Sequence, residues 1–338
     1  MENSAIEIVD LRRLLPSDME ALLADEALAW QQNLLWDYSA TASMIRKFLE
    51  GRALNGYAAM EAGQAIGFTF YVYEAGKGLV GDLFVRPQHR RDAVYFRLLT
   101  HTLETLEATP GIRRVEAQLL HSGTGTGNAA VRALFASRGY ACHDRSFLKL
   151  QLANVVPVME NSATGIRITD WDASRFLDSA NLITRAYAGH VDCEVSDQYR
   201  TQGGALRFLD NIIHYPGCGE FFPAASLLAY EDASATSPPC GMILTSVVSV
   251  GVAHITQLCV SPERQGTGLG RRLLRKALGI LAAQGFQTVT LTATDANTGA
   301  INLYRKAGFA DMLRFPAFVW EAEKPAGSPL TGYLAIRS

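Results

Sequence analysis

The sequence lacks any stretch approaching the ~18 consecutive apolar residues of a membrane-spanning helix. It also lacks an excess of either charge: 31 Lys and Arg stand against 33 Asp and Glu, a formal net charge of −2. The first absence predicts a chain that crosses no membrane. The second excludes whole-chain attraction to nucleic acid or an anionic lipid surface, which needs a concentrated basic face, and leaves room only for a local basic patch. Cysteine is scarce and unpatterned. Cys142, Cys193, Cys218, Cys240 and Cys259 form no C-x-x-C pair and accompany no histidine cluster, so neither a disulfide framework nor a metal site is signalled. The opening MENSAIEIVDLRR has acids early and no apolar core of the kind a secretion signal carries. These absences predict a soluble, cytoplasmic protein with reduced thiols.

What is present is ordinary globular composition, 48% hydrophobic and 19% charged over 338 residues, enough for two hydrophobic cores. Apolar strand-like runs alternate with amphipathic helix-like runs in both halves, the pattern of an α/β protein with a mixed sheet. In the first half, strands are expected at 57–62, 65–74, 78–85, 113–120 and 147–152, and helices at 16–30, 41–50, 92–108 and 128–138. In the second, strands are expected near 224–231, 241–249, 252–260 and 287–293, and helices near 172–188, 196–213, 268–284 and 297–307. The stretch at 153–165, with Pro157 and a polar NSATG end, reads as a linker. The domains are then 1–152 and 166–322, with 323–338 a tail in which Tyr333 to Ile336 could add an edge strand. DASATSPPCG, at 232–241, reads as a hairpin connection.

An internal repeat links the halves. FVRPQHRRDAVYFRLL (84–99) slides without a gap over CVSPERQGTGLGRRLL (259–274), pairing Val85 with Val260, Pro87 with Pro262 and the Arg-Leu-Leu triplets. NAAVRALFASRGY, from Asn128, lies likewise over NTGAINLYRKAGF, from Asn297.

Only one copy carries a glycine loop. RQGTGLG, Arg264 to Gly270, joins a strand to a helix. Helix starts present unpaired N–H groups and the positive end of the macrodipole, and glycine lets an anion approach closely. The loop is no P-loop, since no Lys-Ser or Lys-Thr follows, and it misses the G-x-G-x-x-G spacing. The strand HITQLCVSP, this loop and its helix, the strand TVTLTAT and the NTGAINLYRKAGF block together resemble the GNAT superfamily of acyl-CoA-dependent N-acyltransferases. The resemblance covers Ile166 to about Glu321 directly and the first half through the repeat; in layout it is that of tandem members such as mycothiol synthase.

The resemblance implies a twisted sheet whose two central parallel strands splay apart, with acetyl-CoA as cosubstrate in the gap. The pyrophosphate is expected on the N–H groups of Gln265, Gly266, Thr267, Gly268, Leu269, Gly270 and Arg271, and the pantetheine along Leu258, Cys259 and Val260. Asn297 matches a cofactor-contacting position and Tyr304 the acid that protonates the departing thiolate. An amine attacking a thioester must also lose a proton. His254 stands eleven residues before Gln265, where the histone-acetylating branch has a glutamate, and imidazole titrates near neutrality. His190, Asp192, Glu194, His214 and Glu220 are further candidates, expected to shape the acceptor pocket; Cys259 has no evident partner base for thiolate chemistry.

The first copy lacks this equipment. Ala93 and Tyr95 stand for Gly268 and Gly270, Leu79 for His254 and Phe135 for Tyr304; Asn128 alone is kept. HSGTGTGN (121–128) is glycine-rich but precedes the other motif helix and reads as a flexible loop. The expected activity is transfer of an acetyl group to a primary amine of a small molecule or peptide, by a monomer or homodimer with no nucleic-acid or membrane partner. A longer acyl group is a rival within that class. A noncatalytic acyl-CoA sensor or interaction module is the alternative, against which the intact loop and Tyr304 weigh. Titration calorimetry should find one coenzyme A bound per chain; two equivalents would contradict the reading of the first copy as silent.

Overall fold

The computed structural model describes residues 6–89, 92–120, 126–154, 165–215, 217–231 and 237–322. The first half contains strands β1 Glu7–Asp10, β2 Gly56–Glu61, β3 Gln64–Glu74, β4 Lys77–Val85, β5 Arg114–Gln118 and β6 Ala141–Gln151. Its helices are α1 Pro16–Leu34, α2 Ser39–Glu50, α3 Asp92–Ala108 and α4 Thr126–Ser137. The second half contains β7 Ile166–Asp170, β8 Glu220–Phe221, β9 Leu227–Glu231, β10 Gly241–Ser249, β11 Val252–Val260, β12 Thr288–Thr294 and β13 Ala310–Glu321. Its helices are α5 Phe176–Ala186, α6 Asp192–Val195, α7 Gln202–His214, α8 Leu269–Ala283 and α9 Thr298–Lys306. The expected order of elements is found, with strands β10 and β11 at the bounds read from the sequence. The helix expected at 196–213 begins later, at Gln202, with Thr201 as its side-chain cap accepting from Gly204 N; residues 197–199 instead form a single 3-10 turn. The linker core at 155–164, the first part of the 121–128 loop and the tail from 323 lie outside the described residues.

All the strands join one mixed sheet, in the order β1-β2-β3-β4-β5-β13-β6-β12-β11-β10-β9-β7, with β8 added against β10. Its parallel contacts are β4 with β5 and β11 with β12, the same step in each half. The middle of the sheet is interleaved. β13, the last strand of the second half, lies between β5 and β6 of the first, and β6 in turn pairs with β12.

The cores follow the strands. Leu148, Leu150 and Leu152 are buried among Leu227, Leu273, Val289, Tyr304 and their neighbours in the second half's core. Phe318 of β13 is buried in the first half's core, its ring stacked on Phe135 of α4 at 3.8 Å. Burying a side chain of this size stabilises by roughly 1.5–3 kcal/mol, so each core depends on residues contributed by the other half.

β13 is the longest of the elements the sequence pattern missed, the others being β1, β7, β8 and the one-turn helix α6. Pro316 interrupts its apolar run, and proline inside a run reads against a central strand because it has no N–H for the ladder. In the structure the Pro316 carbonyl accepts from Leu119 N at 3.3 Å, while pairing with β6 continues through Pro316 opposite Asp144. The first residues of β6 were missed for a related reason: CHDRS is polar, yet it pairs with β13 across its full length. No helix among the described residues is long and apolar enough to cross a membrane.

Candidate active site

β11 and β12 pair in parallel from Val252–Thr288 to Ile255–Leu291, and the ladder stops there although both strands run on. The end of β11 beyond this ladder borders a cleft of about 840 Å³. Leu258, Cys259 and Val260 form one wall, the loop Gln265–Arg271 the mouth, and Asn297 and Ala300 the opposite side. Gly266 and Gly268 have φ of +75° and +87°, a left-handed conformation that side chains with a Cβ rarely adopt. Gly268 is the N-cap of α8 and supplies no side chain to close the helix start. The first amides of α8 therefore face the cleft with no carbonyl of their own helix to bond, an anion site by construction. Arg264, Arg271, Arg275 and Lys306 line the same cleft. These donors and cations suit a phosphate-bearing thioester. Among the described residues no group of three or more His, Cys, Asp or Glu could hold a metal ion.

A second cavity, about 340 Å³, lies where the halves meet. Trp30, Trp36, Arg145 and Phe147 of the first half face Asp192, Tyr199, His254, Gln257 and Tyr304 of the second, with Phe315 of β13 between them. The cleft and the cavity share Tyr187, Leu258, Asn297 and Ala300 as lining residues, so they meet at one point.

Polar groups at that point are tied together. Gln257 Nε2 donates to the Tyr187 hydroxyl at 3.0 Å, and the Tyr187 ring stacks on Tyr199 at 4.4 Å. Asn297 caps α9 by accepting from Ala300 N at 3.0 Å, and its Nδ2 donates to Asp192 Oδ2 at 3.0 Å. Both ends of that amide are thus engaged within the protein, which makes Asn297 an organiser of the junction rather than a free hydrogen-bonding arm. Burial pushes the Asp192 carboxyl up, but the hydrogen bond with His190 and the Arg145 charge help to outweigh it and hold the group below its ordinary range. His190, 3.2 Å from Asp192, is raised by that hydrogen bond. Tyr304 is buried, and burial together with the Asp192 charge raises its hydroxyl, so it stays protonated through neutral and mildly alkaline pH.

His254 corrects the expectation placed on it. It lines the cavity, but only 8% of the residue is exposed. Its ring lies 5.0 Å from Trp36 and 5.7 Å from Phe147, both from the first half. Nδ1 is 2.9 Å from Thr290 Oγ1. Burial, reinforced by the Arg145 charge, lowers the imidazole to about 3. An uncharged ring at neutral pH, it holds an abstracted proton too weakly to act as general base. Sequence gave no warning, because the two covering aromatics are more than a hundred residues away. Of the other candidates, Asp192 and His190 reach the junction, whereas His214 is exposed and pairs with Asp210 at 2.8 Å. Cys259 faces the cleft, yet burial raises its thiol to about 12, which leaves no thiolate for catalysis. Tyr187, Tyr199, Gln257 and the first-half residues were not singled out; only Gln257, three residues beyond His254 on the same strand, offered a signal.

The sequence profile of the Acetyltransferase (GNAT) family matches residues 196–309. The mycothiol acetyltransferase of Clavibacter sepedonicus is 30% identical over 240 residues, covering 69% of this chain and 70% of that protein. The chain belongs to the GNAT family. It is an N-acetyltransferase, and enzymes of this family use acetyl-CoA. The mycothiol acetyltransferase of Cellulomonas flavigena is 27% identical over 323 residues, 91% of this chain and 83% of that one. Two solved structures share the fold of this GNAT protein across most of its length. A GCN5-related N-acetyltransferase from Sphaerobacter thermophilus superposes with a TM-score of 0.65 at 20% identity, covering 94% of this chain and 95% of that one. A tandem GNAT protein from the clavulanic acid biosynthesis pathway gives 0.61 at 18%, covering 95% and 99%.

The first half of this GNAT protein repeats the frame with other side chains at the corresponding positions. β4 and β5 pair from Lys77–Arg114 to Val80–Ala117, the same four rungs as β11 and β12. Phe135 in place of Tyr304 is fully buried. Where Gln257 donates to Tyr187, the first half has Asp82, which accepts from Tyr38 at 3.3 Å. Beside them Glu26 is fully buried, and burial with the neighbouring Asp82 charge pushes its carboxyl well above the ordinary range. For the full enzyme, His254→Gln should leave the pH dependence of turnover unchanged, because the ring does not titrate near neutrality. Loss of the alkaline rise in rate would restore His254 as the base.

Proposed function

We propose that the chain transfers the acetyl group of acetyl-CoA, held in the cleft beside β11, directly to a primary amine of a small molecule held in the cavity between the halves. The observation that carries this reading is the meeting of cleft and cavity at Tyr187, Leu258, Asn297 and Ala300. A donor reaching down the strand edge and an acceptor entering from the other side would bring their reacting atoms together there, which removes most of the entropic cost of encounter.

The roles follow from the groups present. The open start of α8, from Gln265 to Arg271, binds the pyrophosphate, and the β11 edge at Leu258, Cys259 and Val260 orients the pantetheine. Asp192, an ionised carboxylate at the junction, attracts and orients an amine that arrives as ammonium. The ammonium gives one proton to solvent before its nitrogen attacks the thioester carbonyl, and the proton that the acetylated nitrogen then loses restores the one Tyr304 gives up. Tyr304 keeps its proton and supplies it to the departing thiolate. Arg145 and the aromatic wall of Trp30, Trp36 and Phe147 fit an acceptor with an anionic or hydroxylated part and an apolar stem, which a short peptide backbone fits less well. The relatives named as mycothiol acetyltransferases make the unacetylated form of mycothiol the first acceptor to test.

Thiol release from acetyl-CoA in the presence of that compound and a panel of small amines checks the reading directly. Turnover with one of them is expected. Tyr304→Phe should lower it about ten- to a thousandfold, the span of a proton-transfer group, with acetyl-CoA affinity kept. Unchanged turnover in that variant would remove Tyr304 from the mechanism, and no thiol release with any amine would contradict the proposed function.

A further inference from the structure

Lys77, Arg114 and Glu116 are charged, lie on the two parallel strands of the silent half and have side chains only 5%, 6% and 9% exposed. Burying charge costs desolvation, so such a cluster calls for a reason. Their ladder position supplies one. Glu116 stands beside Leu79 on β5 as Thr290 stands beside His254 on β12. The cluster thus lies on the first half's counterpart of the strand region beside the acceptor cavity, where His254 and, two residues beyond Thr290, Thr292 line the wall.

What covers it belongs to the other half. Asp197 Oδ1 is 2.6 Å from Lys77 Nζ, and Asp197 N donates to Glu116 Oε1 at 3.3 Å. Lys77 is 4.0 Å from Glu116, which pairs with Arg114 Nε at 2.5 Å. Arg114 also donates to the Glu194 carbonyl at 2.7 Å and pairs with Glu321 of β13. Glu321 in turn is 2.7 Å from Arg200, whose Nε donates to the Cys193 carbonyl at 2.8 Å. Residues 193–200 are therefore gripped from the first-half side by three fixed charges.

The same segment is a wall of the cavity assigned to the acceptor. Asp192, Val195, Ser196, Gln198 and Tyr199 line it, while Asp197, between two of them, points the other way into the charged socket. It connects the first two long helices of its half, α5 and α7. The corresponding connection of the first half, between α1 and α2, reaches across in the opposite sense. There Asp37 N donates to Val248 O at 2.7 Å, Ser249 Oγ donates to Leu35 O at 2.7 Å, and Trp36 covers His254. Each half thus closes the other's pocket.

We infer that the silent half's pocket has become a socket that sets the shape of the live half's acceptor wall, with Lys77, Arg114 and Glu116 acting as positioning residues through Asp197. This rests on the reading of the interhalf cavity as the acceptor site. The residues touch neither reactant, so their removal acts on acceptor recognition and leaves the acetyl-CoA cleft as it is.

The test uses the full chain with two variants. Asp197→Asn removes the charge and keeps the shape; Lys77→Met with Asp197→Leu replaces the pair by apolar packing, which keeps the protein folded if the single change does not. With the unacetylated form of mycothiol as probe, both variants should raise acceptor KM at least about tenfold, the factor carried by a lost charged hydrogen bond. The acetyl-CoA Kd from calorimetry should not move, and Asp197→Glu should recover part of the loss. Unchanged acceptor KM in the folded variants, or acceptor KM and acetyl-CoA Kd worsening together, would overturn the inference. Hydrogen exchange separates it from the assignment of the acceptor. If wild-type enzyme turns over no amine, the functional reading fails. Loss of amide protection at residues 193–200 but not at 269–275 in Asp197→Asn would still support the socket, and unchanged protection would sink it.

Discussion

The exchange of last strands between the halves is the constraint on which the rest of the structure depends. β13 fills the place between β5 and β6, and β6 reaches β12, so neither half can complete its sheet with its own chain. Phe318 against Phe135, and Leu148 and Leu150 among the second half's leucines, tie the two cores into each other. A sheet edge left by withdrawing either strand would expose a full row of backbone donors and acceptors. The first half therefore persists as structure whether or not it retains a reaction of its own.

That constraint also places the chemistry. With the sheets fused at β13 and β6, the open side of β11 faces the first half instead of solvent, and a cavity forms between them. Trp36 and Phe147 enter its wall and strip water from His254; Arg145 helps hold Asp192 ionised. The groups beside the splayed strands are thus tuned by residues from a domain that has lost the glycine loop. The cleft beside β11, proposed above to hold the thioester, is by contrast lined by the second half alone.

This division explains what could be read from the chain. The repeat, the strand-to-helix glycine loop and the block from Asn297 to Gly308 are local, with period and spacing visible in a few dozen residues. They gave the fold class and the cleft-lining residues Leu258 to Val260 and Gln265 to Arg271. The interhalf cavity was legible only in part, through the segments His190–Glu194 and His214–Glu220, of which Asp192, Gly217 and Cys218 line it, because its other walls include Trp30, Trp36, Arg145 and Phe147 and no periodicity links them to β11. His254 was placed on its strand, but the aromatic cover and the Arg145 charge that lower its basicity arrive from across the interface. β13 escaped notice because Pro316 breaks its pattern, although its pairing with β6 continues through that residue.

Scanning calorimetry of the full chain, with and without coenzyme A, tests the central claim most directly. If the interleaved sheet makes the halves one cooperative unit, a single transition is expected, with calorimetric and van't Hoff enthalpies equal. Coenzyme A should move that transition upward as a whole. Two resolved transitions, only one of them shifted by the ligand, would contradict it.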